Sequence, residues 1–382
     1  MIDADAHYLE PVYEIANYMD EPWATRVRNA GPSRWILSGL GDLNVEGRIT
    51  RDDEDYSKQA LDYDGLGEGV RKAELLRDVM IRIGIDAAIL LPNRMTHIGR
   101  YSVRDFPVEL SKGFVRYMLD QVVSPEHGMY TMAIACWQDP EGSAKLIREV
   151  ADHPGIVAVG IMSAGANPPL GDPHYDPIYR AAVDHGLPLV VHSTPGLNLV
   201  EGADYASFQR LIESHSLGFS FSNQIQLTSL VLAGISERFP TMKIVFEESG
   251  LFWVPMMQYR LDEYYLKRRS EAPLLKRLPS EYIREHFYFG TQPIEAPKDQ
   301  RHLEMVFDAA NGADHFVYCS DYPHFDYDDP ISITRLRFLD REDKGKVLGG
   351  NAMEIFNFRK AGIQPWENIS SDDSTTFQKS TV

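Results

Sequence analysis

Eight short apolar segments recur along the chain, and helical patterns separate them. The predicted strands cover residues 2–6, 86–92, 130–136, 156–163, 187–192, 242–248, 286–290 and 315–320. Alternating strands and helices favour a parallel sheet, and continuous Val, Ile and Leu runs are typical of strands covered on both faces. Eight such units in 382 residues predict an α/β fold of the (β/α)8 TIM-barrel type. The alternative is an open doubly wound sheet, but no Gly-x-Gly-x-x-Gly follows the first strand, so the fingerprint of that fold is missing.

Two segments fall outside this pattern. Residues 12–64 form a long insertion after the first strand, rich in Pro, Gly, Asp and Arg. Such a long irregular segment in a compact domain has a functional or docking role, and we expect loops and short elements that serve as a lid or a docking arm. Residues 361–382 form a polar tail, which predicts disorder or an arm on another subunit. The chain is thus predicted to form one domain, residues 1–360, followed by the tail.

Charge and cysteine content limit the partners and the compartment. Nucleic-acid-binding proteins carry basic patches, so a net charge of −18 argues against nucleic acid. The two cysteines, Cys136 and Cys319, cannot form a disulfide framework or a cysteine zinc cluster, which is compatible with a reducing cytoplasm. No signal-peptide pattern and no apolar run of about 20 residues are evident. We expect a cytoplasmic protein without a membrane partner.

The first strand carries ionisable side chains where an apolar strand is expected. Alternate residues of a strand share a face, so Asp3, Asp5 and His7 point the same way. Burying them without a partner is unfavourable, and a metal cation at the end of the strand would be such a partner for Asp5 and His7. The alternative is a frayed, solvated terminus.

Two later strands end in residues of the same kind. The strand at 187–192 ends in His192, and Asp321 follows the strand at 315–320. In a barrel the functional face lies at the carboxyl ends of the strands, so one divalent cation could be held by Asp5, His7, His192 and Asp321. Imidazole and carboxylate ligands suit Zn, Mn or Fe better than calcium. Taken singly, His192 could be a satisfied core histidine and Asp321 a turn residue.

Other polar residues near strand ends are candidates for substrate binding or proton transfer. Glu248 could act as a general base or pair with an arginine or a helix N-terminus, whereas alternation predicts a structural role for Glu247 on the opposite side. The loop after the second strand and two further histidines supply the remaining candidates: Asn93, Arg94, His97, Arg100, His215 and His324. Arginine suits a bidentate grip on a carboxylate, although a surface ion pair explains each arginine equally well.

Several motifs, in barrel order, resemble those of the amidohydrolase 2 family, which includes aminocarboxymuconate semialdehyde, γ-resorcylate and 5-carboxyvanillate decarboxylases. They are Asp3-Ala-Asp-Ala-His-Tyr-Leu-Glu-Pro11, Asp176-Pro-Ile-Tyr with Gly-Leu-Pro-Leu-Val-Val-His192, Phe246-Glu-Glu-Ser-Gly, Trp253-Val-Pro255, Arg260-Leu-Asp262, Ser320-Asp-Tyr-Pro-His324 and Gly350-Asn-Ala with Ile-Phe356. The resemblance spans residues 2–358 and implies a distorted (β/α)8 barrel with one divalent metal, held by the four residues proposed above. This chain departs from the family at Asp5, where His or Glu is usual, and at Glu248, where many members have a histidine.

The resemblance implies a metal-dependent non-oxidative decarboxylase of a hydroxylated aromatic or conjugated carboxylic acid, with zinc as the expected metal. In this interpretation Asp321, or water that it orients, protonates the ring carbon, and Arg94 or His97 holds a remote polar group of a small carboxylate substrate. His215 could replace the missing family histidine. The alternative is a hydrolase or hydratase in which Glu248 assists metal-activated water; a non-catalytic binding protein fits less well because the ligand set is intact. A homodimer or higher homo-oligomer is expected, with the 12–64 insertion or the tail as its arms.

Overall fold

A computed structural model of the protein describes residues 1–30, 44–45, 48–49, 73–101, 103–163, 165–193, 210–324 and 326–358. Eight parallel strands form one sheet in chain order: β1 (Ile2–Tyr8), β2 (Ala87–Pro92), β3 (Met129–Ala135), β4 (Ile156–Met162), β5 (Leu189–His192), β6 (Ile244–Glu247), β7 (Phe287–Gly290) and β8 (Phe316–Val317). The strands lie where the apolar segments predict them, and each pairs with the next in the parallel sense.

Helices connect the strands and cover the outside of the sheet. They span Val12–Ile15, Trp23–Ala30, Ala73–Arg82, Asp105–Gln121, Pro140–Val150, Asp176–Asp184, Leu211–Leu232, Ile235–Arg238, Trp253–Lys267, Pro279–His286, Arg301–Ala310, Gly312–His315, Ile331–Thr334, Arg341–Gly345 and Asn351–Ile355. The spacing predicts one helix over 221–239, but the observed helix begins at Leu211. The reason lies at its start, where the Glu213 carboxylate accepts a hydrogen bond from the Arg210 backbone N–H at 2.9 Å.

Hydrogen bonds between the last strand and the first bring the two edges of the sheet together. The Ala4 N–H donates to Tyr318 O at 3.0 Å, and the His7 N–H donates to Tyr322 O at 2.7 Å. The Asp321 N–H donates in turn to Asp5 O at 2.8 Å. The predicted (β/α)8 TIM barrel is therefore confirmed, and its closure places the residues after β8 directly beside β1.

Residues on β1 show how the barrel separates its two faces. Tyr8 points outward, and its hydroxyl lies 3.3 Å from that of Tyr117 on the helix Asp105–Gln121. His7 therefore points towards the barrel axis, as do Asp5, two residues earlier, and Asp3, four residues earlier. All of β1 is buried, so the interpretation of this segment as a frayed terminus is wrong.

The predicted insertion is described in part. It contains the helices Val12–Ile15 and Trp23–Ala30 and a short antiparallel pair, Asn44–Val45 with Arg48–Ile49. The rest of it, including the part on which a lid would depend, lies outside the described residues, as does the polar tail 361–382. The predicted division at residue 360 stays a prediction. Among the described helices, none has both the length and the apolar character that a membrane span requires.

Candidate metal centre

Asp3 supports the candidate metal site through hydrogen bonds to neighbouring residues. Its carboxylate accepts hydrogen bonds from the backbone N–H of Ser320 at 2.8 Å and from the Ser320 hydroxyl. It also accepts the Asp5 N–H at 3.2 Å. Burial raises the pKa of Asp3 to about 7 despite these bonds. Asp3 thus links β1 to the loop after β8, and its oxygens are already used.

His7 presents one ring nitrogen to the barrel interior. Its Nδ1 donates to the carbonyl of Pro92 at the end of β2 at 3.0 Å, which leaves Nε2 free to act as a metal ligand. Nε2 lies 3.0 Å from Asp321 Oδ1 and 3.4 Å from Asp5 Oδ1. In spite of these short distances, His7 Nε2 and both carboxylate oxygens of Asp5 have no hydrogen-bond partner among the described residues.

His192 supplies a third atom to the same point. It ends β5, is buried, and places Nε2 4.0 Å from Asp5 Oδ2. One ligand atom each from Asp5, His7 and His192 lies within 4.8 Å of the others. Buried polar atoms normally have partners, and a cation between these three residues would supply one for the Asp5 carboxylate, for His7 Nε2 and for His192 Nε2. The donor set therefore fits a divalent transition metal.

Asp321 lies on the other side of His7. Its backbone is left-handed, with φ of 60°, a conformation that is uncommon for a residue with a side chain and that clusters at functional sites. The buried carboxylate contacts His7 Nε2 at 3.0 Å and His324 Nδ1 at 2.6 Å through Oδ1. His7, Asp321 and His324 form a second group of potential metal ligands within 4.8 Å of one another.

The electrostatics reflect four ionisable groups in one buried volume. Burial raises the pKa of Asp5 to about 8. Burial opposes a charge on His7, but the carboxylates of Asp321 and Asp5 outweigh it and raise the pKa of His7 to about 9. Burial and then the charge of His7 lower the pKa of His192 to about 3. Burial opposes ionisation of Asp321 as well, yet His324 and His7 hold the pKa of that carboxyl well below its usual range.

Alternation predicts that Glu247, the last residue of β6, and Glu248, which follows it, face opposite sides. In the structure both face the interior of the barrel. Phe246 packs outward against Phe287 and Phe289, so Glu247 faces the interior, where Asp5 and Asp3 help to raise its pKa after burial itself. Glu248 follows the strand with φ of 52°. That left-handed turn ends the alternation and directs Glu248 back into the site, where Oε2 lies 3.0 Å from His192 Nε2.

The remaining predicted residues have different partners in the structure. His324 contacts Asp321, and its Nε2 lies 2.6 Å from Asn93 Oδ1. Burial lowers the pKa of His97 to about 4, and the nearby His324 adds to the effect. His215 Nε2 lies 2.9 Å from Asp326 Oδ2. The backbone of Arg94 begins the 3-10 turn Arg94–Arg100, and its side chain is not among those described.

Three supporting residues have no place in the sequence-based candidate set. Ser320 holds Asp3, and Gln292 donates from Nε2 to Asp321 Oδ2 at 3.2 Å. Glu10 is buried and accepts the backbone N–H groups of Asn93 and Met95 at 3.0 and 2.9 Å. Glu10 and Ser320 stand inside the recognised motifs, and Gln292 follows β7, so their position at strand ends is the signal that could have found them.

A family model described as amidohydrolase matches residues 2–358. The γ-resorcylate decarboxylase of Polaromonas sp. (strain JS666 / ATCC BAA-500) is 21% identical over 258 residues, which cover 64% of this chain and 75% of that protein.

Two crystal structures with bound manganese have the same fold. The 5-carboxyvanillate decarboxylase of Novosphingobium aromaticivorans DSM 12444, in complex with 4-hydroxy-3-methoxy-5-nitrobenzoic acid, superposes with a TM-score of 0.68 at 19% identity, over 93% of this chain and 95% of that one. The dihydroxybenzoic acid decarboxylase of Polaromonas sp. JS666, with the inhibitor 2-nitroresorcinol, gives a TM-score of 0.63 at 16% identity, over 93% and 96%. At these identities the likeness concerns the fold.

Proposed function

This chain belongs to the amidohydrolase family, and we propose that it is a metal-dependent non-oxidative decarboxylase of a hydroxylated aromatic carboxylic acid. The observation that carries the proposal is the set of buried ligand atoms without hydrogen-bond partners, contributed by Asp5, His7 and His192. A related sequence and related folds belong to decarboxylases of such acids, which does not favour the hydrolase or hydratase alternative.

One divalent metal ion per chain would be held by Asp5, His7, His192 and Asp321. Carboxylate and imidazole ligands accept zinc, manganese or iron. Zinc is the expectation from the sequence alone, whereas two structures of the same fold contain manganese. Mn²⁺ is therefore the first metal to test, with Zn²⁺ and Fe²⁺ beside it.

When bound, the metal would act as a Lewis acid and template for the substrate carboxylate and a neighbouring hydroxyl oxygen. Asp321 begins as a carboxylate, because His324 and His7 lower its pKa. It would accept the proton of the substrate hydroxyl and transfer that proton to the ring carbon that bears the carboxylate. The carbon–carbon bond then breaks, carbon dioxide leaves, and the phenolate product takes a proton from solvent.

Glu248 and His215 are the further candidates for proton transfer. Glu248 is the better placed of the two, since its carboxylate reaches His192, whereas His215 pairs with Asp326. Arg94 and His97, in the loop after β2, would hold a polar group of the substrate remote from the scissile bond. The sequence also predicts substrate contacts for Asn93 and His324.

Release of carbon dioxide tests the function directly. Metal-free protein is loaded with Mn²⁺, Zn²⁺ or Fe²⁺ and incubated with a panel of hydroxybenzoates that includes 2,6-dihydroxybenzoate, and a hydrolysis screen of esters and amides runs in parallel. We expect release of carbon dioxide from at least one acid that requires metal and is lost in Asp321→Asn. Hydrolysis without decarboxylation would contradict the proposal.

The assembly, the location and the domain limits complete the proposal. We propose a homodimer in the cytoplasm, formed by a single domain of residues 1–360 with the tail 361–382 as an arm. The helix Trp253–Lys267 has an exposed apolar face that supports self-association, and Met256, Tyr259 and Leu266 are exposed on it. Two free buried cysteines are compatible with a reducing compartment. Light scattering of the protein and of Tyr259→Glu tests the dimer, which the substitution should weaken.

A further inference from the structure

A continuous chain of hydrogen bonds runs from Glu10 to Asp321 by way of Asn93 and His324. Asn93 Oδ1 lies 2.6 Å from His324 Nε2, and His324 Nδ1 lies 2.6 Å from Asp321 Oδ1. We propose that His324 and Asn93 are positioning residues that hold the Asp321 carboxylate in the orientation the metal requires, and that neither binds substrate. The inference rests on the proposed function, because it is that proposal which makes Asp321 a metal ligand.

Both nitrogens of the His324 ring are already used. Asp321 is an acceptor in its ionised form, and the amide oxygen of Asn93 is an acceptor too. Nδ1 therefore donates to Asp321 Oδ1, and Nε2 donates to Asn93 Oδ1. The ring also packs on His7, with centroids 4.4 Å apart. A substrate group would have to displace one of these contacts in order to bind either nitrogen. His324 is therefore built into the support of the centre.

The contacts of Asp321 show why such support matters. The two oxygens are held from different sides, Oδ1 by His324 and Oδ2 by Gln292 Nε2 at 3.2 Å. Oδ1 also lies 3.0 Å from His7 Nε2. Without His324 the carboxylate can rotate about its bond to Cβ, and the oxygen nearest His7 loses its fixed position. Groups that hydrogen-bond metal ligands orient them and tune metal affinity.

Glu10 fixes the other end of the chain. Its buried carboxylate accepts the N–H groups of Asn93 and Met95 at 3.0 and 2.9 Å. These two bonds hold the start of the loop after β2, and so the side chain of Asn93, against the end of β1. The end of β1, the loop after β2 and the loop after β8 are thereby joined around Asp321.

Titration of metal-free protein with Mn²⁺ alone, followed by the electron paramagnetic resonance signal of free and bound Mn²⁺, tests the inference without any substrate. His324→Phe should weaken Mn²⁺ binding by about 10- to 100-fold and alter the spectrum of the bound ion. His324→Asn should restore binding close to wild type, because the asparagine amide nitrogen occupies the δ position that Nδ1 occupies in histidine.

Asn93→Ala should weaken binding in the same direction and by less. If Asn93 acts through His324, the double variant Asn93→Ala/His324→Phe should bind Mn²⁺ no more weakly than His324→Phe, since residues in one network are not additive. His302→Phe, at an exposed histidine, is the matched control and should bind as wild type. Thermal unfolding of each metal-free variant reports its folded state, and Asn93→Ala with His324→Asn keeps the test open if His324→Phe does not fold.

Wild-type affinity in both His324→Phe and Asn93→Ala would overturn the inference, as would additive losses in the double variant. A wild-type protein that binds Mn²⁺ but releases no carbon dioxide from any acid contradicts the proposed function and leaves this inference in place. A wild-type protein that binds no divalent metal overturns both.

Discussion

The carboxylate of Glu248 lies 3.0 Å from Nε2 of His192, although no hydrogen bond joins them. The φ of 52° at Glu248 turns this side chain into the barrel just after β6 ends. Burial raises the pKa of Glu248 well above its ordinary value, and the charges of Asp321 and Asp5 add to the effect. Burial thus favours the neutral form of Glu248 beside the centre of the metal-free protein.

Substitution of Glu248 by glutamine should separate proton transfer from metal binding. Glutamine keeps the size of the side chain but cannot release a proton, so Glu248→Gln should bind Mn²⁺ as wild type. Its turnover of an acid that the wild type decarboxylates should fall by about 10²- to 10⁴-fold, the usual contribution of a general acid or base. Turnover within a few-fold of wild type would contradict this role and shift attention to His215.

Removal of His192 should abolish the metal site. His192→Ala leaves Asp5 and His7 buried with one ligand fewer, so we expect the bound Mn²⁺, measured by metal analysis after gel filtration, to fall from about one ion per chain to near zero. Decarboxylation should disappear with it. His127→Ala, at an exposed histidine, is the control, and a His192→Ala protein that retains both metal and activity would refute the site.

The outline of the site could be predicted from the sequence because it depends on local rules. Alternation along β1 places Asp5 and His7 on one face, and the barrel rule brings the ends of β5 and β8 to the same side. The direction of Glu247 was predicted wrongly for a related reason. Alternation holds only within a strand, and the left-handed backbone at Glu248 lies just past its end.

The pairing of Asn93 with His324 shows what such rules cannot supply. These residues are 231 positions apart, each in a loop, and no periodicity relates them. Their contact depends on the conformation of two loops, one fixed by Glu10 and the other beginning with the left-handed Asp321. The sequence identifies both as polar residues after strands, which suggested substrate binding, whereas their contacts indicate support.

The pKa values of the cluster predict that metal-free protein loses stability as the pH rises from 6.5 to 9. In that interval the folded state retains protons on Asp5, with a pKa of about 8, and on His7, with a pKa of about 9. The unfolded state has released them, and stability falls with pH wherever the folded state binds more protons. His192 acts in the opposite direction, but only below 6.5, where its unfolded form takes up a proton.

Bound metal should reverse this trend. A cation replaces the protons on the ligands, so Mn²⁺ affinity rises with pH, and the difference in melting temperature between Mn²⁺-loaded and EDTA-treated protein should be larger at pH 9 than at pH 6.5. Calorimetric scans at both pH values measure it. Asp5→Asn is the control, in which the decline of the metal-free protein should be shallower. A metal-free melting temperature that rises over this interval would contradict the assigned shifts.

The buried carboxyl group of Glu247 should lower the stability of the metal-free protein. Both of its carboxylate oxygens are buried without a hydrogen-bond partner among the described residues. Burial raises its pKa well above the ordinary value, and Asp5, Asp3 and Asp321 add to the effect. Because the folded state keeps the proton while the unfolded state loses it, the loss of stability caused by Glu247 grows from pH 5 to pH 8.

Glu247→Gln cannot ionise in either state, so the free energy of unfolding from urea titrations should rise by about 1–3 kcal/mol at pH 8 and by less at pH 5. Glu126→Gln, at an exposed glutamate, should change it by no more than about 0.5 kcal/mol. A Glu247→Gln protein less stable than wild type at both pH values would mean that the carboxylate has a stabilising partner in the folded metal-free protein, and it would contradict the prediction.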